Sequence, residues 1–334
     1  MRLLITGGAG FIGSEFVRLT LAEHPEDQVT VLDKLTYAGN ERNLEAVRAD
    51  PRFRFVRGDI ADADLVATLA GDCDAVVNFA AESHVDRSLE APGQFILTDV
   101  YGTFVLLEAA RSLGHERFLQ VSTDEVYGEV TEGLSHEGDP LRPRSPYSAS
   151  KAGGEMLVQA YRASYGFPAI VTRGCNTFGW HQYPEKIIPL FITNAIEGRS
   201  LPIYGDGRAV RDYIFVEDHC RGIDTALRRG AGGEDYNIGT GGEVSAVTVA
   251  NIVLRLLEKP ESLKEFVRDR SGHDRRYAVD SSKLRALGWQ PRTSFDDGMQ
   301  RTVAWYLSHD DWWRPLKNGD FWEFYRRNYR RVTE

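Results

Sequence analysis

Cysteine is scarce in this chain, and its three copies, Cys73, Cys175 and Cys220, form no C-x-x-C pair. An odd number without close spacing gives neither a disulfide framework nor a thiolate zinc site, so no metal and a reducing compartment are expected. Long apolar runs are missing too, and none approaches the roughly 18 residues that a membrane span requires. The opening Met1-Arg2-Leu3-Leu4-Ile5-Thr6 runs straight into glycines, a buried-strand pattern too short for the apolar region of a signal peptide. Basic residues are outnumbered: 40 Lys and Arg against 49 Asp and Glu give a net charge of −9. That balance lacks the clustered cations that hold a phosphate backbone, so no nucleic-acid partner is expected and a cytoplasmic enzyme is.

What is there reads as ordinary globular protein, with 42% hydrophobic and 27% charged residues, enough apolar surface to fold unaided. At 334 residues the chain exceeds the length one core usually serves. Leu3 to Thr6, Val29 to Leu32, Phe53 to Val56, Ala75 to Phe79, Arg117 to Ser122 and Ala169 to Thr172 read as strands separated by helices. Near-continuous apolar strands in a β-α-β-α rhythm predict an α/β fold, a Rossmann-type doubly wound parallel sheet. After residue 172 the rhythm becomes mixed, with strand-like stretches at Leu201 to Tyr204 and Asp212 to Val216. The expected division is 1–172 for the Rossmann domain and 173–334 for a smaller mixed α/β substrate domain. Segments near 212–240, including Tyr236 to Gly239, are expected to return to the first sheet.

Thr6-Gly7-Gly8-Ala9-Gly10-Phe11-Ile12-Gly13 follows the first strand and opens a helix. Glycines there permit a tight turn and close backbone approach to a pyrophosphate, with the helix N-terminus facing the phosphates. Asp33 ends the second strand about 20 residues beyond the last glycine, where a carboxylate can accept from both ribose hydroxyls. A carboxylate repels a 2′-phosphate, so NAD is favoured over NADP even with Lys34 alongside. Asp59, with Ile60, is placed beside the adenine amine, although loop aspartates also serve turns. The small Ala80 and Ala81 after the fourth strand let the chain pass close to the cofactor, and helix packing explains them equally.

Tyr147 and Lys151 stand four apart in Ser145-Pro146-Tyr147-Ser148-Ala149-Ser150-Lys151, which puts them on one helix face, a spacing that ordinary helix neighbours share. A lysine ammonium beside a phenol favours phenolate, so Tyr147 is expected to be drawn below its ordinary value near 10 and to serve as acid and base. Ser122-Thr123-Asp124-Glu125 ends the fifth strand, and strand C-termini are where open α/β sheets place their sites.

Gly7-x-x-Gly10-x-x-Gly13, Ser122-Thr123 and Tyr147-x-x-x-Lys151, in this order and spacing, resemble the extended short-chain dehydrogenase/reductase family over almost the whole chain. Thr123-Asp124-Glu125 looks like the signature of that family's dTDP-glucose 4,6-dehydratases, and the related 4-epimerases usually lack the carboxylate pair. The resemblance implies that Tyr147 takes the 4-hydroxyl proton as the C4 hydride passes to NAD. Lys151 supports Tyr147, and Thr123 holds the hydroxyl. Glu125 then removes the C5 proton while Asp124 protonates the departing 6-hydroxyl. Hydride return to C6 yields dTDP-4-keto-6-deoxyglucose, with NAD retained.

By the same resemblance, Ser83 and His84 stand near the nicotinamide and sugar. Asn176, Glu185 and Lys186 contact the sugar and base, Pro202 and Tyr204 flank thymine, and Arg211, Arg270 and His273 surround the diphosphate. Tyr204 as core and the arginines as surface groups remain ordinary alternatives. Asp99 stands where Asn is frequent in the family, Thr177-Phe178 where Asn-Tyr is, Ala246 where an Asn often meets phosphate, and Trp180-His181-Gln182 where Pro-Tyr-His is common. Helices at Asp99 to Leu113 and Ser148 to Tyr165 carry apolar residues beyond one stripe, which by resemblance implies a homodimer. The aromatic, arginine-rich end from Trp312 to Arg327 is expected to anchor on the domain rather than on a membrane. A 4-epimerase, a dehydratase acting on another nucleotide sugar and a non-catalytic NAD-binding module are the competing readings.

Overall fold

The computed structural model describes residues 1–269 and 272–329. Six strands appear in succession: β1 (Arg2–Thr6), β2 (Gln28–Asp33), β3 (Phe53–Arg57), β4 (Ala75–Asn78), β5 (Arg117–Thr123) and β6 (Ala169–Gly174). Then come β7 (Asn176–Phe178), β8 (Leu201–Tyr204), β9 (Val210–Arg211), β10 (Tyr213–Phe215), β11 (Asp235–Ile238), β12 (Val244–Ser245) and β13 (Lys264–Val267). Seven strands pair in parallel in the order β3-β2-β1-β4-β5-β6-β11. The order reverses between β1 and β4, and ligands of open α/β sheets sit in the crevice that such a switch leaves at the strand C-termini.

Alternation along each strand fills both faces. On β1, Leu3 and Ile5 join Phe16, Val31 and Ile223 on one side, while Leu4 joins Val66, Leu106 and Val158 on the other. All of these side chains are fully buried, which is why the strands read as continuous apolar runs. A separate core gathers Phe178, Phe191, Tyr213, Val253, Met299 and Trp313 around the helices Ile187–Ile196, Ala246–Leu256 and Phe295–Ser308. Three small pairs frame it, β7 with β10, β8 with β13 and β9 with β12. The aromatic tail packs inward: Trp313, Phe321 and Phe324 are buried, and Trp312 Nε1 donates to Asn43 Oδ1 at 3.0 Å.

Two helices matter most for the site. Pro146–Tyr165 opens with a capping box between Ser145 and Ser148, carries Pro146 in its first turn and ends at Gly166 with φ 63°. Each device is local in sequence, and together they hold Tyr147 in the first turn with Lys151 one turn on. The expected helix from Asp99 to Leu113 is less regular: residues Ile96–Gly102 form a π-helical segment before the α-helix Thr103–Ser112. Such wide turns insert a residue and commonly lie at functional sites. Among the described residues no helix is long and apolar enough to cross a membrane.

Candidate active site

The glycine loop between β1 and the helix Phe11–Glu23 is built for close approach. Gly7 has φ +67°, and a Cβ there would lie 2.5 Å from Ala80 N. At Gly13 a Cβ would lie 2.3 Å from Gly7 O. Bare backbone at the start of a helix suits a pyrophosphate, so these residues fit a dinucleotide. Asp33 is buried and accepts from Ala9 N at 2.9 Å and Leu35 N at 2.8 Å. Burial raises its carboxyl above the usual range, against the pull of those two amides. One cleft is lined by Gly7, Gly10, Phe11, Ile12, Gly13, Asp33, Lys34, Asp59, Ile60, Ala80, Ala81, Tyr147 and Lys151 together. Asp59 is engaged at the rim: it accepts from Ala61 N at 3.0 Å and pairs with Lys34 Nζ at 2.6 Å.

β5 delivers the next group. Thr123 is its last residue and caps the short turn Asp124–Tyr127, accepting from Glu125 N at 3.2 Å. Its hydroxyl donates to Asp124 Oδ1 at 3.2 Å, while Asp124 Oδ2 is buried without a hydrogen-bond partner among the described residues. Burial, then the neighbouring Glu125 and Asp212, push the Asp124 carboxyl well above the carboxylate range. A carboxyl shifted in this direction suits a proton donor.

Tyr147 departs from expectation. Burial, then the Glu125 and Asp99 carboxylates, hold its phenol well above 10, and a hydrogen bond with Thr123 acts the other way. Lys151 is engaged elsewhere: its Nζ donates to Val121 O at 2.8 Å, and burial lowers its own ammonium against Asp99 and Glu155. A spacing of four residues places two side chains on one helix face and says nothing of the carboxylates that other elements bring to them.

A second cleft adjoins the first, with Tyr147, Ser122, Ser83 and Lys186 on both walls. Thr123, Asp124, Glu125, His84, Asn176, Glu185, Pro202, Tyr204, Arg211 and His273 line it, and Arg270 lies outside the described residues. Several of these already hold protein partners. Lys186 Nζ donates to Ser83 Oγ at 3.0 Å, and Glu185 accepts from Tyr37 at 2.7 Å and from Arg87 at 2.8 Å. Arg211 donates to Val210 O and Asp274 O, both at 2.8 Å, and its guanidinium lies 4.4 Å from the Tyr277 ring centre. Tyr204 donates to Asp86 at 3.1 Å, its ring 5.2 Å from that of Tyr329, and His273 pairs with Asp269 at 2.7 Å. His84 takes φ 82°, a left-handed conformation that costs a non-glycine residue on the order of 1 to 3 kcal/mol and concentrates at ligand sites.

Sequence reasoning passed over several lining residues. Tyr37 and Thr98 face the first cleft, and His219 and Tyr329 the second. Each arrives from a loop, a helix interior or the chain end, where no spacing pattern announces it. Among the described residues no group of three His, Cys, Asp or Glu side chains is arranged to hold a metal ion.

A family model described as GDP-mannose 4,6 dehydratase matches residues 4–302. The chain is 52% identical over 311 residues to the low-salt glycan biosynthesis protein Agl12 of Haloferax volcanii, covering 93% of this chain and 100% of that one. It is 50% identical over 319 residues to a dTDP-glucose 4,6-dehydratase of an Actinoplanes species, covering 94% and 100%. Among solved structures, the dTDP-glucose 4,6-dehydratase DesIV of Streptomyces venezuelae, crystallised with NAD and dTDP, superposes with a TM-score of 0.93 at 52% identity, over 95% of this chain and 100% of that one. The chain belongs to the GDP-mannose 4,6-dehydratase family, and its relatives there include dTDP-glucose 4,6-dehydratases.

Proposed function

We propose that this chain is an NAD-dependent hydro-lyase that converts dTDP-glucose to dTDP-4-keto-6-deoxyglucose and water. The observation that carries the reading is the placement of Asp124 and Glu125 beside Tyr147, which lines both clefts, with Asp124 buried and its carboxyl pushed up. An epimerase has no use for a proton donor and a second carboxylate at that point, whereas an elimination needs both.

Gly7, Gly10 and Gly13 leave room for the pyrophosphate, and Asp33 receives the ribose. Bound NAD supplies the hydride acceptor for C4 and the donor that returns the hydride to C6. Thr123 and Tyr147 hold the sugar's 4-hydroxyl, and Tyr147 takes its proton. Glu125 removes the C5 proton, acidified by the adjacent ketone. Asp124 gives a proton to the departing 6-hydroxyl, which leaves as water, and a proton from Glu125, exchangeable with solvent, returns to C5 as the hydride reaches C6. Ser83, Asn176 and Lys186 orient the sugar, and Tyr204, Arg211 and His273 receive the nucleotide diphosphate. Residues 1–172, with segments near 212–240, form the cofactor domain in this reading, and 173–334 the nucleotide-sugar domain.

A cytoplasmic homodimer completes the proposal. Ile96, Leu97, Tyr101 and Phe104, with Met156 on the neighbouring helix, are 39% to 54% exposed, an apolar surface that a second copy would cover. Incubating dTDP-glucose with the purified protein in deuterated water, without added NAD, tests the chemistry by mass spectrometry. Loss of one water with deuterium at C5 is expected. A product of unchanged mass with dTDP-galactose appearing, or turnover of UDP-glucose alone, would overturn it.

A further inference from the structure

Asp99 lies in the π-helical segment Ile96–Gly102 and is 2% exposed. Its carboxylate joins two walls of the site. Oδ1 accepts from Glu82 N at 3.1 Å, in the loop after β4 that lines the first cleft. Oδ2 accepts from Ser150 Oγ at 2.5 Å, on the helix that carries Tyr147 and Lys151. The helix approaches closely enough that a Cβ at Gly154 would lie 2.7 Å from Asp99 O.

We propose that Asp99 is a positioning residue which ties the cofactor loop to the catalytic helix and, as an anion, sets the electrostatic balance between Tyr147 and Lys151.

Three ionisable groups face it, Tyr147 and Lys151 from the helix and Glu82 from the loop, and Glu155 stands behind Lys151. Among them Asp99 acts in opposite senses on the two catalytic side chains. It supports the Lys151 ammonium and opposes ionisation of Tyr147. Burial pushes the Asp99 carboxyl up to about 6, against the pull of Lys151, the Ser150 hydroxyl and Glu82 N. Ser150 couples charge to geometry, because its single hydroxyl proton is within reach of both Asp99 Oδ2 and Tyr147 O, the latter at 2.8 Å. With Asp99 ionised the proton is held by the carboxylate. With Asp99 neutral, the acid donates to Ser150 and the hydroxyl turns to Tyr147 O.

Asp99→Asn keeps the shape and can still accept from Glu82 N and donate to Ser150, but removes the charge. The inference rests on Tyr147 as proton acceptor, so one readout is independent of turnover. In protein labelled with carbon-13 aspartate, the carboxyl signal absent from Asp99→Asn should titrate near pH 6 in the parent, and Ser150→Ala should move it higher. Asp99→Asn should also shift the rising limb of kcat against pH by about one unit to lower pH, a roughly tenfold relative gain on that limb. Superimposable profiles, a loss of equal size at every pH, or an Asp99 signal titrating in the ordinary aspartate range would overturn the proposal. Failure of the parent to release water from dTDP-glucose would instead sink the functional reading, while the carbon-13 titration still reports on Asp99.

Discussion

Asp33 Oδ2 accepts a hydrogen bond from Ala9 N at 2.9 Å, which fastens the carboxylate at the end of β2 to the glycine loop beside it. The same side chain therefore shapes the loop and lines the first cleft, where we propose that it receives the ribose. Asp33→Ala should cut the NAD carried through purification at least tenfold, read from nucleotide released on denaturation. Loss of the acceptor for Ala9 N and Leu35 N should also lower stability by about 1 to 3 kcal/mol. An undiminished NAD content would remove Asp33 from the cofactor site.

Tyr147 and the carboxylates of the Asp124–Tyr127 turn should fail in different ways. Tyr147→Phe should lose about 10²- to 10⁴-fold in turnover, with no reduced nicotinamide formed on adding substrate. Glu125→Gln should still reduce the cofactor, seen by near-ultraviolet absorbance, but release little water and incorporate no deuterium at C5. Equal loss of cofactor reduction in both variants would deny Glu125 its place in the second step.

Arg173 is 1% exposed on β6, with Nη2 2.7 Å from Glu155 and 2.8 Å from Asp235. Its Nη1 donates to Tyr127 Oη at 2.7 Å, so the network braces the end of the catalytic turn. Arg173→Met strands Glu155, which is fully buried, and should cost about 3 to 5 kcal/mol in denaturant unfolding. Arg173→Met with Glu155→Gln should recover part of that loss. A cost below about 1 kcal/mol for the single variant would mean the pair relaxes into water.

His219 lines the second cleft with Nδ1 2.7 Å from Thr177 Oγ1, and burial pushes its imidazole down to about 4. The folded value lies below the unfolded one near 6.5, so the unfolded chain binds the proton more readily. This contribution is complete above about pH 6.5 and is lost as the pH falls toward 4, amounting to about 2 kcal/mol at pH 5. His219→Gln should flatten the dependence of unfolding free energy on pH between 7 and 5 relative to the parent. Parallel curves for the two proteins would show that His219 binds its proton equally well in both states.

Much of this molecule could be read from local pattern. The strands are buried on both faces, so their apolar runs announce them. The glycine loop is a steric demand between Gly7 and Gly13, six residues apart, and the Ser145 cap with Pro146 starts the catalytic helix from its own first turn. Less could be read where distant segments meet. The burial of Glu185 depends on Tyr37 and Arg87, and Arg211 is engaged by Asp274 rather than waiting on the surface. The wide turn at Ile96–Gly102 left its helix recognisable but not its geometry.

By itself, then, the chain determined the parallel sheet, the dinucleotide loop and the order of Thr123, Asp124, Glu125, Tyr147 and Lys151. These follow from hydrophobic periodicity, backbone sterics and capping, which act over a few residues. Tertiary structure decided their protonation and partners. The Tyr147 phenol and the Asp124 carboxyl are both pushed up because burial and carboxylates from separate elements converge on them. Desolvation and Coulomb energies depend on distance through space, and spacing along the chain carries no measure of it.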